Sequence, residues 1–295
     1  MFFKNLIIYQ FDKNNSSIER LDDDTLKNMA FTPCGPLDSI KHGFVSPVDD
    51  DSLKLDIHGH TLLKVRTESK ILPGSVIKKK QAERIKHLEQ KLGRKLTRSE
   101  KLTAKDEIMV ELLPVAFTKD QYTYVWINYR DQFIAIETAS FKKSEDVLAS
   151  IRKELGALSL KPLSIENNIS STLKEWVLND NPPANFFILN DALLEDPLEG
   201  NGKVKLMDEN LTADEVKSYL NSGHEIKSLS FSYQQRTVFT VNTELVFSKI
   251  NYSSEMRYEN CDISLDDKAK RIEADFYLVA NELATLIKDF TRSLR

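Results

Sequence analysis

From Val76 to Leu92 the cations recur on one side of a helical wheel: Lys80, Arg84, His87 and Lys91 fall at i, i+4, i+7 and i+11, with Glu83 and Glu89 off the line. A row of that pitch can hold a row of phosphates. Lys78, Lys79 and Lys86 add charge to the segment, and Ile77, Ile85, Leu88 and Leu92 lie within about 80° of one another at roughly 100° per residue, a narrow packing seam. Gly93 ends this helix, and Arg94 and Lys95 follow in the turn. Thr97 and Glu100 then have capping-box spacing and open a second, antiparallel helix that Pro114 stops. Arg98, Lys101 and Lys105 occupy its first two turns, where the macrodipole disfavours cations by about a few tenths of a kcal/mol. An external anion would offset that cost.

The chain has 295 residues, 41% hydrophobic and 29% charged, with a formal net charge of −4. Evenly spread, that charge would argue against a nucleic-acid partner. It is not evenly spread: between Lys64 and Lys105 stand 14 Lys or Arg against 4 Glu and no Asp, a local charge of +10 beside −14 elsewhere. Such a patch concentrates an anionic partner on an otherwise acidic body. The alternative is a lysine-rich helix that is only a solvated face. The sequence carries no RNP aromatics, GXXG clamp, zinc-finger spacing or clear helix-turn-helix, so sequence-specific readout has no support.

Other residues could do different chemistry. Asp49, Asp50, Asp51 and Asp56 could ligate Mg²⁺ for phosphodiester cleavage, which is the rival, nuclease reading; a solvated loop beside Pro47 is the plainer one. His58 and His60 flank Gly59 with no Cys or second His pair near in sequence, so no metal site is expected. Without GxxxxGK[ST], GxSxG or a Cys/His pattern, neither a P-loop ATPase nor nucleophilic catalysis is expected, and no cofactor is implied. Cys34 and Cys261 are too few and too far apart for a disulfide framework. No export signal or run of about 20 apolar residues is seen, and a cytoplasmic protein is expected. Phe117, just past the basic pair in LLPVAF, is either core or an apolar contact with a partner. Gln234, Gln235 and Arg236 sit at a turn between strands; they face a partner, or Arg236 pairs with a neighbouring carboxylate.

The elements that must position these groups follow from apolar spacing. Strands are expected at Leu6 to Tyr9, Tyr122 to Asn128, Phe133 to Thr138, Glu225 to Tyr233, Thr237 to Val241 and Glu244 to Phe247, with a hairpin from Leu53 to Val65 turning at Gly59. Helices are expected over Ile18 to Met29 and Lys143 to Leu155. A long terminal one has Ile272, Phe276, Val279, Leu283, Leu286 and Phe290 on one face and starts at a Ser264/Asp267 cap. Phe31 to Pro47 reads as turns and edge pieces, and Pro182 and Pro183 mark a break. Hairpins alternating with helices favour an α+β fold with antiparallel sheets. Two regions are expected: 1–160, carrying the basic helical insertion at about 76–113, and 161–295, ending in the long helix.

Several stretches, taken in order, resemble the recombination-associated protein RdgC family: FKNLIIY, MAFTPCG from Met29, KILPGSVIK from Lys70, LLPVAF from Leu112, KKSEDVLASIRKELG from Lys142, QQR from Gln234, and IEADFYLVANELATLI. The resemblance implies a non-enzymatic homodimer closed into a ring, whose positively charged hole surrounds double- or single-stranded DNA with little sequence preference. It also implies nucleoid association and indirect inhibition of recombinase filaments by competition for DNA, with no membrane partner. The expected DNA-binding residues are Lys78, Lys79, Lys80, Arg84, Lys86, Lys91, Arg94, Lys95, Arg98, Lys101 and Lys105. Phe117 is assigned to ring closure, and Gln234, Gln235 and Arg236 are candidates for the DNA-facing surface. The acidic stretch LMDEN, from Leu206 to Asn210, is assigned no DNA contact.

Overall fold

The computed structural model describes residues 2–12, 18, 21–156, 158–198, 202–264 and 267–295. These form twelve strands, eight α-helices and one 3₁₀ turn in an α+β arrangement of two antiparallel sheets. The seven-stranded sheet runs β2 (Ile40–Val45), β4 (His60–Lys70), β5 (Thr118–Asn128), β6 (Phe133–Ile136), β1 (Ile7–Gln10), β7 (Lys161–Pro162), with β3 (Lys54–Ile57) also on β4. The five-stranded sheet runs β12 (Phe247–Tyr252), β11 (Thr237–Asn242), β10 (Glu225–Tyr233), β8 (Phe186–Glu195), β9 (Lys203–Leu206).

Side chains alternate across a strand, so an apolar run buried on both faces must meet two cores. Leu6, Ile8, Leu62 and Trp126 face one core, while Ile7, Tyr9, Leu63, Val125 and Ile127 face the other. The second core is closed by α1 (Asp23–Asn28) and α4 (Phe141–Leu155), which supply Leu26, Val147, Leu148 and Ile151. The first is shared with the five-stranded sheet and with α8 (Lys268–Ser293), α5 (Ile169–Asn179) and α6 (Asp214–Asn221). Phe290 of α8 is its hub: the rings of Phe186, Phe231, Phe239, Phe247 and Trp176 all lie with centroids between 5.5 and 6.0 Å of it. None of the described helices is long and apolar enough to cross a membrane.

Most expected elements are found, and four differ. Of the helix expected over 18–29, Ile18 is helical and residues 23–28 form α1, with a break at Leu21 and Asp22 where the Asp22 side chain accepts from Thr25 N and caps α1; residues 13–17, 19 and 20 lie outside the described set. Strand β12 begins at Phe247, not Glu244. The Asn242 side chain accepts from the backbone N–H of Glu244 and Val246, and Leu245 takes a left-handed φ of 55°, so these residues turn. The terminal helix starts at Lys268 with Asp267 itself as N-cap, accepting from Lys270 N, rather than with Ser264. The packing seam of the first basic helix is shorter than its wheel suggests: Ile77 is buried, Ile85 and Leu88 are half-buried, and Leu92 is 50% exposed.

Candidate nucleic-acid interface

Strands β4 and β5 pair along eleven rungs, from His60 opposite Asn128 to Lys70 opposite Thr118. The helical hairpin connects them at the Lys70 end. Its first helix, α2 (Gly74–Leu92), stops at Gly93, whose φ of 65° suits a residue without Cβ; its second, α3 (Arg98–Leu112), opens on Thr97 with both halves of the capping box formed to Glu100. A short 3₁₀ turn at Leu113–Val115 then returns the chain to β5. The two helices hold a small core of their own, Ile77, Ile108 and Leu112 with Leu72 and Met109 against it. Glu89 ties the turn by accepting from Leu96 N at 2.9 Å.

The cations divide into those paired with carboxylates and those left unpaired. The Arg84 guanidinium donates to both oxygens of Glu111 at 2.8 and 2.9 Å and lies 3.6 Å from Glu107, which raises its pKa, chiefly through the Glu111 hydrogen bond. Arg94 donates to Glu100 at 2.7 and 3.0 Å. That pair, with the Thr97 cap, holds the Glu100 carboxyl down at about 2. Lys78, Lys79, Lys80, Lys86, Lys91, Lys95, Arg98 and Lys105 are exposed, and Lys101 is half-buried. Among the described residues, no carboxylate lies within 4.0 Å of the charged group of any of these nine. Spacing on the first helix alone predicts a row with no acid between its members. The fold supplies two acids to Arg84 from α3, 23 and 27 residues along the chain, beyond the reach of spacing on one helix.

Phe117 is 85% exposed and Val115 77% exposed. The Phe117 carbonyl is fixed at the root of the hairpin by Ile71 N at 2.7 Å, so its ring stands outside the core on a pinned backbone. Ile71 and Tyr122 add further exposed apolar surface to the same ribbon. The core alternative for Phe117 is thereby removed. No helical or strand period marks the exposure of Val115.

Gln234, Gln235 and Arg236 lie on the β10–β11 turn of the five-stranded sheet, not on the hairpin. Gln234 and Gln235 both adopt positive φ, 48° and 57°, at the centre of a tight turn that the Arg236 N–H closes on the Tyr233 carbonyl at 2.9 Å. Arg236 lies 3.5 Å from Glu259 and 3.4 Å from Glu282, so it is held as an ion pair while the two glutamines are exposed.

The remaining candidates have separate partners. Asp50 accepts from Ser46 Oγ and Ser52 N, Asp56 takes Lys54 at 2.9 Å and the Thr61 hydroxyl, and Asp49 faces Lys64 at 4.0 Å. His58 packs on Tyr277 with ring centroids 4.9 Å apart. The His60 Nδ1 accepts from the Trp126 indole N–H at 3.2 Å. Among the described residues, no three His, Cys, Asp or Glu side chains converge as a metal site.

Fold and surface together define a class: a two-sheet α+β protein that presents a lysine-fronted helical hairpin and an exposed apolar root at the end of a β-ribbon. Over residues 1–295 the chain matches the family model described as "RdgC: Putative exonuclease, RdgC", and it belongs to the RdgC family. It is similar to the recombination-associated protein RdgC of Yersinia pestis (strain Pestoides F), 36% identical over 296 residues that cover 100% of this chain and 98% of the relative. The protein of the same name from Yersinia enterocolitica serotype O:8 matches with the same identity and coverage.

Proposed function

We propose that this chain is a non-enzymatic, sequence-tolerant DNA-binding protein that encircles DNA as a ring-shaped homodimer and limits recombinase access to it, in the cytoplasm and on the nucleoid. The observation that carries the reading is the division of charge on the hairpin. Eight lysines and Arg98 have no carboxylate partner and are free to hold phosphate, whereas Arg84 and Arg94, with side chains suited to bidentate guanine recognition, are engaged by carboxylates. At about 1.5 Å per residue, the 19-residue α2 extends about 28 Å, long enough to follow several phosphates. The printed name of the relatives, recombination-associated, supports the process. In this reading residues 1–160 carry the DNA-holding hairpin, residues 161–295 form the second half, and Phe117 with Val115 meets the partner copy across the ring.

Mass by light scattering, with and without DNA, tests the assembly. The parent protein is expected at twice the chain mass. Phe117→Ala is expected to change stability by no more than about 0.5 kcal/mol, as for exposed positions, while it weakens closure or DNA retention. A parent that stays monomeric with and without DNA contradicts the ring. The nuclease rival is separated by incubating plasmid with the protein and Mg²⁺ or EDTA: a shift that resists EDTA and yields no nicked product is expected, and divalent-dependent nicking contradicts the non-enzymatic reading.

A further inference from the structure

The hairpin's cationic row has a gap at its centre. Arg84 lies one turn after Lys80 and two turns before Lys91 on the same side of α2, yet its guanidinium is turned to α3. We propose that Glu107 and Glu111 are internal competitors of the phosphate backbone: they hold Arg84 out of the row, and a bound strand gains its contact only by releasing it. The inference rests on the hairpin being the DNA surface.

Glu107 and Glu111 stand at i and i+4 on α3, so both carboxylates reach one guanidinium, which they hold in the geometry a phosphate would otherwise take. Neither acid has another hydrogen-bond or ion-pair partner among the described residues, so nothing else is disturbed if the pair opens. Arg84, Glu107 and Glu111 are 33%, 57% and 52% exposed. An ion pair in that much water shifts an equilibrium by no more than about five-fold, so a densely charged strand can displace it. The Arg94–Glu100 pair differs in kind, since Glu100 also closes the cap of α3 and its release would cost the first helical turn. The two carboxylates therefore set whether a strand recruits Arg84, and a weak or short anion meets only the cations that have no carboxylate partner.

The test is a double-mutant cycle on binding of a fluorescein-labelled DNA duplex, using the full chain: parent, Glu107→Gln/Glu111→Gln, Arg84→Ala, and the triple variant. Removing two negative charges near DNA aids binding by itself, and the Arg84→Ala background measures that share. The expected result is a gain of about three- to five-fold from the glutamines with Arg84 present and less than about two-fold without it. Equal gains in the two backgrounds, or no gain, overturn the competitor role while leaving DNA binding intact. Thermal melting of each variant confirms that folded proteins are compared. A parent that shows no salt-sensitive binding fails the proposed function itself, and the inference falls with it.

Discussion

The body and the helical hairpin of this molecule use their residues in opposite ways. In the body, Phe290 is ringed by five aromatic neighbours, and one face of β1, β4, β5 and β6 packs against the same core as the five-stranded sheet. In the hairpin the helices of 19 and 15 residues bury only Ile77, Ala104, Ile108 and Leu112, and Leu92, Leu102, Val110 and Val115 stay exposed. The body is held by burial. The hairpin relies more on caps, ion pairs and its root at Ile71 and Phe117, which leaves its surface free to carry charge. A region that must present many lysines cannot also bury its faces, and the contrast lets binding be altered without unfolding the molecule.

The comparison breaks most sharply in the body. Phe290→Ala should cost about 3–5 kcal/mol, the range for removing a fully buried ring from a core that cannot collapse around the cavity. Urea unfolding with an unchanged m-value reports it. A loss below about 1 kcal/mol would mean that the two sheets do not share the core as described.

The next effect is one of pH. Burial pushes His60 below its ordinary 6.5, against the opposing hydrogen bond with Asn281, while Arg130 and His58 lower it further and Asp131 raises it. Its Nδ1 already accepts the Trp126 N–H, so a proton there would set a donor against a donor. Because the folded pKa lies below the unfolded one, the unfolded state binds more protons. This contribution to stability is complete above about pH 7 and is lost as pH falls through and below 6.5. His60→Gln should flatten stability against pH between about 5 and 7, read by tryptophan fluorescence during urea unfolding. An unchanged slope would place the sensitivity elsewhere.

A smaller effect is expected in the hairpin. Thr97→Ala removes the N-cap of α3 and should cost about 1 kcal/mol or less in the local stability of the hairpin, with amide exchange accelerated in α3 while the protected strands β5 and β10 are unaffected. Equal acceleration in β10 would show that hairpin and body unfold as one unit.

The same contrast explains which elements are legible in the sequence. Strands β1, β5 and β10 were legible as apolar or alternating runs, and the hairpin because Gly93, the Thr97/Glu100 box and Pro114 punctuate it locally. Strand β8 was not: Phe186, Phe187, Ile188 and Leu189 are apolar at both parities, and its pairing to β10 shifts register between Leu229 and Phe231, so alternation is lost. Helix α5 mixes Ser, Thr and Val, weak helix formers, and is settled by packing Leu173 and Val177 into the shared core. In the hairpin the cationic segment was visible from charge alone. The capture of Arg84 by Glu107 and Glu111 was not, because it depends on how two helices are set against each other.

The most direct measurement of the central claim is the slope of log K against log salt for duplex binding by the parent, by Lys80→Glu/Lys91→Glu, and by Lys142→Glu/Lys153→Glu, which places the same charge change on the exposed face of α4. All three proteins should melt alike, since each substituted side chain is exposed. The account predicts a steep slope for the parent and the α4 variant, and a slope about 2 units shallower with affinity at least about ten-fold weaker for the hairpin variant, as two phosphate contacts are lost. Equal weakening by both variants, or a parent slope near zero, would contradict the hairpin as the DNA-holding surface.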